Sequence, residues 1–224
     1  MTDGNSRLAR LPTWVTVLGP ILVSVVSLFV SVIGLLISLM LPKVTLELPF
    51  FVRVQQGKQM ATPTIYVQPS FVSTSSNSRS EVIENLKLVV KSEQGKPVEF
   101  AWTDQGEWGA ADPTQTESKK DGFTQYYKIT SDPTPIVVTS GAAAVPVLHF
   151  QAPSNSGFEF KEGSYVLTLT ANRAVADEPL EDKMKITVTE DHLKFFKSTN
   201  GTQWSYFWDA KYLDDEPQSR KAVS

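Results

Sequence analysis

The chain has 224 residues, 41% of them hydrophobic and 10% aromatic, which suits one membrane span plus an ordinary domain and excludes wholesale disorder. A formal net charge of −3 without a Lys/Arg-rich run argues against a nucleic-acid partner. The absence of cysteine removes disulfide scaffolds, thiolate metal sites and cysteine nucleophiles.

Residues 1–13 form a short polar tail with Arg7, Arg10 and one acid, Asp3, and no charge follows until Lys43. Residues 14–42 read as one transmembrane helix. Trp14 sits where an interfacial anchor would, and Gly19-Pro20 marks either a kink or the helix start. Ile21–Leu41 is apolar apart from serines and one glycine. At 1.5 Å per residue it covers about 31 Å, the thickness of a hydrocarbon core. It exceeds a signal-peptide apolar region and no small-x-small site follows, so an uncleaved anchor in the lipid bilayer is expected. Arg7 and Arg10 precede the span, and Lys43 and Arg53 follow it. Two arginines against one acid in the tail favour the N-terminus inside and the domain outside the cytoplasm.

Within the span Ser24, Ser27, Ser31, Gly34 and Ser38 recur at spacings of 3, 4, 3 and 4, on one helical stripe. Small residues let backbones approach closely, so the stripe predicts association with itself or with another transmembrane helix. Serine hydroxyls bonding their own helix are the competing explanation.

After Pro42 the hydrophobic period changes from 3.6 to 2. Residues 43–61 are expected to be a juxtamembrane strand and linker. Strands are predicted in residues 62–190 at Thr62–Gln68, Glu81–Lys91, Val98–Thr103, Gln125–Thr130, Ile136–Thr139, Val147–Gln151, Gly163–Ala171 and Asp182–Thr189. The alternation of Met184, Ile186 and Val188 with lysines and threonines gives one apolar and one polar face. The fold class is therefore all-β, an antiparallel sandwich behind one N-terminal helix.

Lys161-Glu162-Gly163-Ser164-Tyr165-Val166-Leu167 resembles the E–F corner of immunoglobulin-like and fibronectin-like domains. The resemblance implies that the Tyr165 hydroxyl bonds back to backbone. It further implies that Trp102 takes the place of the strand-C tryptophan, and that Leu88 and Leu167 take the places of the two cysteines. It covers residues 62–190, lacks both cysteines, and leaves Asp104–Phe123 as a long inserted loop. Such sandwiches host many roles, so the resemblance implies no activity.

Residues 191–210 read as an aromatic hairpin, with Leu193–Thr199 and Thr202–Trp208 flanking Asn200-Gly201. The register sets Phe195 opposite Tyr206 and Leu193 opposite Trp208. A helix over Asp191–Ser198, capped by Asp191, competes with this reading. Asn200-Gly201-Thr202 is also formally a glycosylation sequon. Residues 211–224 are expected to be a disordered tail.

Little points to catalysis. His149 and His192 have no His, Cys or carboxylate at ligand spacing, and no nucleophile elbow, phosphate loop or dinucleotide fingerprint occurs. The acidic clusters Asp177/Glu178/Glu181/Asp182 and Asp104/Glu107/Asp112/Glu117 lack a calcium-loop pattern and read as solvated charge. No catalytic residue, metal or cofactor is expected. Trp108, on the polar Asp104–Phe123 loop, is either tucked into the core or a binding anchor. With Trp204, Tyr206 and Trp208 it makes the candidate partner-binding set.

The expectation is a non-catalytic, single-pass membrane protein whose β domain serves as a binding or assembly subunit for a protein partner. The alternative is a cytoplasm-facing sensor that acts on the membrane helix or gates a channel.

Overall fold

A computed structural model of the chain describes residues 13–39, 43–57, 62–74, 80–110 and 125–212. The expected polar tail (1–12), Asp112, Glu117 and the last twelve residues lie outside these. The chain divides into two compact units, Met1–Leu41 and Pro42–Ser224.

The first unit is a helix, α1 (Thr13–Leu39). Pro20 lies inside it and does not start it. Within it Leu18–Leu36, 19 residues, reaches a mean hydropathy of 2.4 and is long and apolar enough to cross a membrane. The Ser24 and Ser31 hydroxyls donate to the carbonyls of Pro20 and Ser27, each at 2.8 Å, so part of the serine stripe is satisfied within its own helix.

Among its described residues the second unit is all-β apart from one short helix and a 3-10 turn. It begins with β1 (Val44–Glu47), β2 (Phe51–Gln55), β3 (Thr64–Val67) and β4 (Ser70–Ser73). The stretch expected to link span and domain thus supplies two strands of the fold. Next come β5 (Glu81–Ser92), β6 (Val98–Ala110), β7 (Gln125–Ser131) and β8 (Ile136–Val138). They are followed by β9 (Ala143–Ala144), β10 (Val147–Gln151), β11 (Gly163–Arg173) and β12 (Leu180–Val188). The chain then forms α2 (Glu190–Ser198), β13 (Ser205–Trp208) and the turn Ala210–Tyr212.

All pairings are antiparallel. The main sheet runs β12-β11-β5-β6-β10-β3-β2-β13, with β7 beside β6 and β8 beside β5. Its two end strands nearly meet. Asp209, just after β13, accepts from the Lys185 N–H of β12 (3.3 Å) and so bridges the seam of an almost closed barrel, while Asp182 of β12 accepts from the Leu48 N–H after β1 (2.7 Å). A small sheet, β1-β4-β9, adds Val44, Leu46 and Phe71 to the same core. The period-2 pattern explains the interior: Val52, Val54, Ile65, Leu88, Leu148, Phe150, Leu167 and Ile186 are at most 1% exposed.

The Tyr165 hydroxyl does bond back to the chain, donating to the Lys161 carbonyl (3.0 Å) and accepting its N–H (2.8 Å). The immunoglobulin-like assignment of Leu88 and Leu167 is corrected. They lie on β5 and β11, neighbouring strands of one sheet, with Leu88 opposite Leu169 and Leu167 opposite Val90. The cysteine positions of that family join opposite sheets instead. What remains is a sandwich- or barrel-like antiparallel β fold.

The aromatic hairpin is also corrected. Residues 190–198 form α2, capped by Thr189 and not Asp191. Thr189 makes a capping box with His192, whose Nδ1 accepts the Thr189 N–H at 3.1 Å. Asn200 (φ 56°) and Gly201 (φ 80°) then stop the helix, because left-handed residues serve helix ends as well as hairpins. Gly201 lies against the Gly57 backbone so closely that a Cβ on either would collide with the other's main chain. The turn after α2 is thereby seated on the end of β2.

Candidate functional site

The outward face of the main sheet carries more structure than a solvated face needs. In β2 Val52 and Val54 point to the core, so Arg53 points outward, yet only 7% of it is exposed. In β3 all four residues are buried, on both faces. The cover is aromatic. The Arg53 guanidinium lies 3.6 Å from the Trp108 ring centroid and 5.2 Å from those of Phe51 and Tyr206. Cation–π contacts of this kind contribute from about 0.5 to 2 kcal/mol, more as the cation is desolvated.

Tyr66 is the hub. It stacks on His149 (4.5 Å, 9°) and meets Tyr127 at 4.8 Å, Trp108 at 5.7 Å and Trp204 at 6.1 Å. Trp108 and Trp204 meet edge to face at 5.3 Å. Burial pushes the Tyr66 hydroxyl pKa up, with the Asp104 carboxylate adding to the effect. At the other end of the face Trp208 stacks on Phe50 (5.4 Å, 26°) and touches Phe51, which also meets Tyr206. Here the rings reach solvent: Phe50 is 47% and Tyr206 39% exposed.

Beneath the hub is a polar network. His149 Nδ1 lies 2.8 Å from Asp104 Oδ2, and the Tyr127 hydroxyl donates to Asp104 Oδ1 at 2.6 Å. A carboxylate only accepts, so Nδ1 carries a proton. Burial and the Asp104 hydrogen bond together raise the Tyr127 pKa far above the ordinary phenol value, which keeps it a neutral donor. The Thr103 hydroxyl lies 3.0 Å from the same Nδ1 and donates to the His149 carbonyl (3.1 Å). In an acyl-transfer triad nucleophile and acid occupy opposite ring nitrogens, so this wiring does not build one. Trp108 Nε1 and His149 Nε2 are among the atoms of this face that are buried without a hydrogen bond among the described residues. Each such group costs about 1–3 kcal/mol relative to a satisfied one.

The structure gathers the four candidate partner-binding residues, Trp108, Trp204, Tyr206 and Trp208, onto this one face. Trp108 lies neither in the core nor on a loop: β6 continues through Ala110, and β7 pairs with it from Gln105 onward. The polar, glycine-rich composition concealed the strand, but Gly106 and Gly109 leave the room that the Tyr127 and Tyr126 rings occupy. Arg53, Tyr66 and the Asp104–His149 pair escaped the sequence. His149 has no acid near it in the chain, and only the β6–β10 register places Asp104 opposite. The one available signal was an arginine at an outward position among aromatics.

The acidic clusters dissolve into separate roles. Glu181 pairs with Lys183 (2.8 Å), Glu107 with Lys128 (3.2 Å), and Asp182 accepts from the Leu48 N–H (2.7 Å). No group of three or more His, Cys, Asp or Glu able to hold a metal occurs among the described residues. Ser24, Ser27, Ser31, Gly34 and Ser38 all fall within α1.

No protein-family model matches the chain, and no curated protein matches it. Among solved structures it is similar to a family 123 glycoside hydrolase from Clostridium perfringens, at 10% identity and TM-score 0.33, over 66% of this chain and 27% of that one. It is also similar to Spo0M, a sporulation control protein from Bacillus subtilis, at 8% identity and TM-score 0.31, over 67% and 54% of the two chains. The chain thus spans about a quarter of the length of the first and about half that of the second.

Proposed function

We propose that this chain is a non-catalytic, single-pass membrane protein whose β domain docks a protein partner through the aromatic face and so serves as an assembly subunit. The observation that carries this reading is the ring series from Trp108 and Trp204 to Tyr206 and Trp208, backed by a buried arginine and ending in exposed rings. Protein interfaces concentrate Trp, Tyr and Arg in this manner. α1 anchors the protein in the bilayer with its N-terminus cytoplasmic, and Ser27 and Gly34 lie on the side that meets itself or another span.

The full-length protein, extracted from native membranes in mild detergent, is expected to retain a partner that Tyr206→Ala with Trp208→Ala releases. The same set of co-purifying proteins from both would remove the face from this role. Gly34→Leu with Ser31→Leu is expected to shrink the complex on a sizing column. Protease added to sealed cells is expected to cut the domain, whereas cleavage only after permeabilisation would favour the cytoplasm-facing sensor.

A further inference from the structure

A second site lies away from the aromatic face, at one end of the barrel. A groove of about 860 Å³ runs between α2 and the segment from Ser154 to Lys161. Its volume falls within the range of about 300–1,000 Å³ usual for small-molecule sites, and barrel mouths are a common place for them. Its lining includes Phe158 and Leu193, both half-buried, and Phe160 and Phe196, which are 2% exposed and show it little surface. Lys161 and Lys197 stand at its edge, and neither ammonium pairs with a carboxylate among the described residues. One acid, Glu159, shares the lining. Thr62, 7% exposed, also lines the groove, and its buried hydroxyl makes no hydrogen bond among the described residues.

We infer that this groove binds a single-chain anionic lipid, with its acyl chain on the half-buried Phe158 and Leu193 side chains and its headgroup at Lys161 and Lys197. The charge is complementary, two ammonium groups against one carboxylate. A peptide strand is the poorer fit, because it needs backbone partners along the wall. The wall's Phe160 already gives its N–H to Gln56 Oε1 (2.7 Å), and its carbonyl accepts from Gln56 Nε2 (3.2 Å). A methylene chain makes no such demand and contributes about 0.8 kcal/mol for each group removed from water.

The test uses the full chain in phosphatidylcholine nanodiscs with a photoreactive palmitate, the adducts being mapped by mass spectrometry. The expected result is labelling of peptides carrying Phe158 and Leu193, reduced about tenfold by Lys161→Glu with Lys197→Glu, a difference of about 1.4 kcal/mol. Both lysines are exposed, so the thermal midpoint should hold. If it does not, Lys161→Gln with Lys197→Gln supplies the same comparison at lower cost to the fold. Labels confined to α1 would overturn the proposal as mere partition into the bilayer. Equal labelling by the matching photoreactive fatty alcohol, or labelling indifferent to the lysine changes, would overturn it as well. An acidic apolar peptide that displaces the label more strongly than palmitate would replace the lipid with a peptide as the occupant.

Discussion

The two faces of the main sheet are built from different materials. The inner one is aliphatic and phenylalanine-rich, and Val54, Ile65, Leu148 and Phe150 are fully buried. The outer one, on the same strands β2, β3 and β10, is made of Arg53, Tyr66 and His149 with Trp108 and Asp104 from β6. The inner face depends on area and shape, which tolerate exchange between apolar residues of like volume. The outer depends on directed contacts, such as those of the Asp104 carboxylate with Tyr127 and His149. A sheet that needed only stability would have left the second face to water.

Substitutions on the two faces should therefore differ in kind. Phe150→Ala is expected to remove about 3–5 kcal/mol of stability, read as a lower denaturant midpoint. Asp104→Leu comes next, at about 2–3 kcal/mol, because it strands the Tyr127 hydroxyl and the His149 N–H. Adding Tyr127→Phe should recover part of that loss, and strict additivity in the double-mutant cycle would refute the network. Arg53→Met should cost about 1–2 kcal/mol and leave the protein folded, with a change in near-ultraviolet circular dichroism from the tryptophan cluster.

A pH effect of about 1 kcal/mol is expected at α2, which rests on the inner side of β13 through His192 and Phe207 (4.2 Å). Burial lowers the His192 pKa below its ordinary value of 6.5, against the opposing influence of Asp191. The folded state therefore favours the neutral ring. Its contribution is complete above about 6.5 and is lost as pH falls from there through the lower folded value. Protonation converts Nδ1 from acceptor to donor and abolishes the bond to the Thr189 N–H. Hydrogen exchange of α2 should accelerate between pH 7.5 and 5, and His192→Ala should flatten that dependence. Phe50→Ala is the smallest, at under about 0.5 kcal/mol of stability, yet it should weaken partner capture.

The inner face was legible because a strand's two-residue period writes burial directly into the sequence, as Met184, Ile186 and Val188 illustrate. Tyr165 was legible because its hydroxyl bonds within four residues of itself. Strand order was not, since pairing of β5 with β11 joins segments some eighty residues apart without any local mark. The outer network failed for the same reason: Asp104, Tyr127 and His149 become neighbours only through register. Asn200-Gly201 misled because one conformational preference ends helices and tightens hairpins alike. The spacing of Thr189 and His192 was a usable sign of the helix, had histidine been admitted in place of glutamate in the capping box.

Among the described residues β13 has a backbone ladder on one edge, with β2, while on its other side the Asp209 carboxylate reaches the Lys185 N–H of β12. Breathing of the barrel should begin there. Such an opening would lift Trp204, Tyr206 and Trp208 away together, so the proposed contact surface and the open edge of the main sheet share one strand. A partner seated on that strand would act as a clasp, and its arrival should slow the loosening of the whole domain.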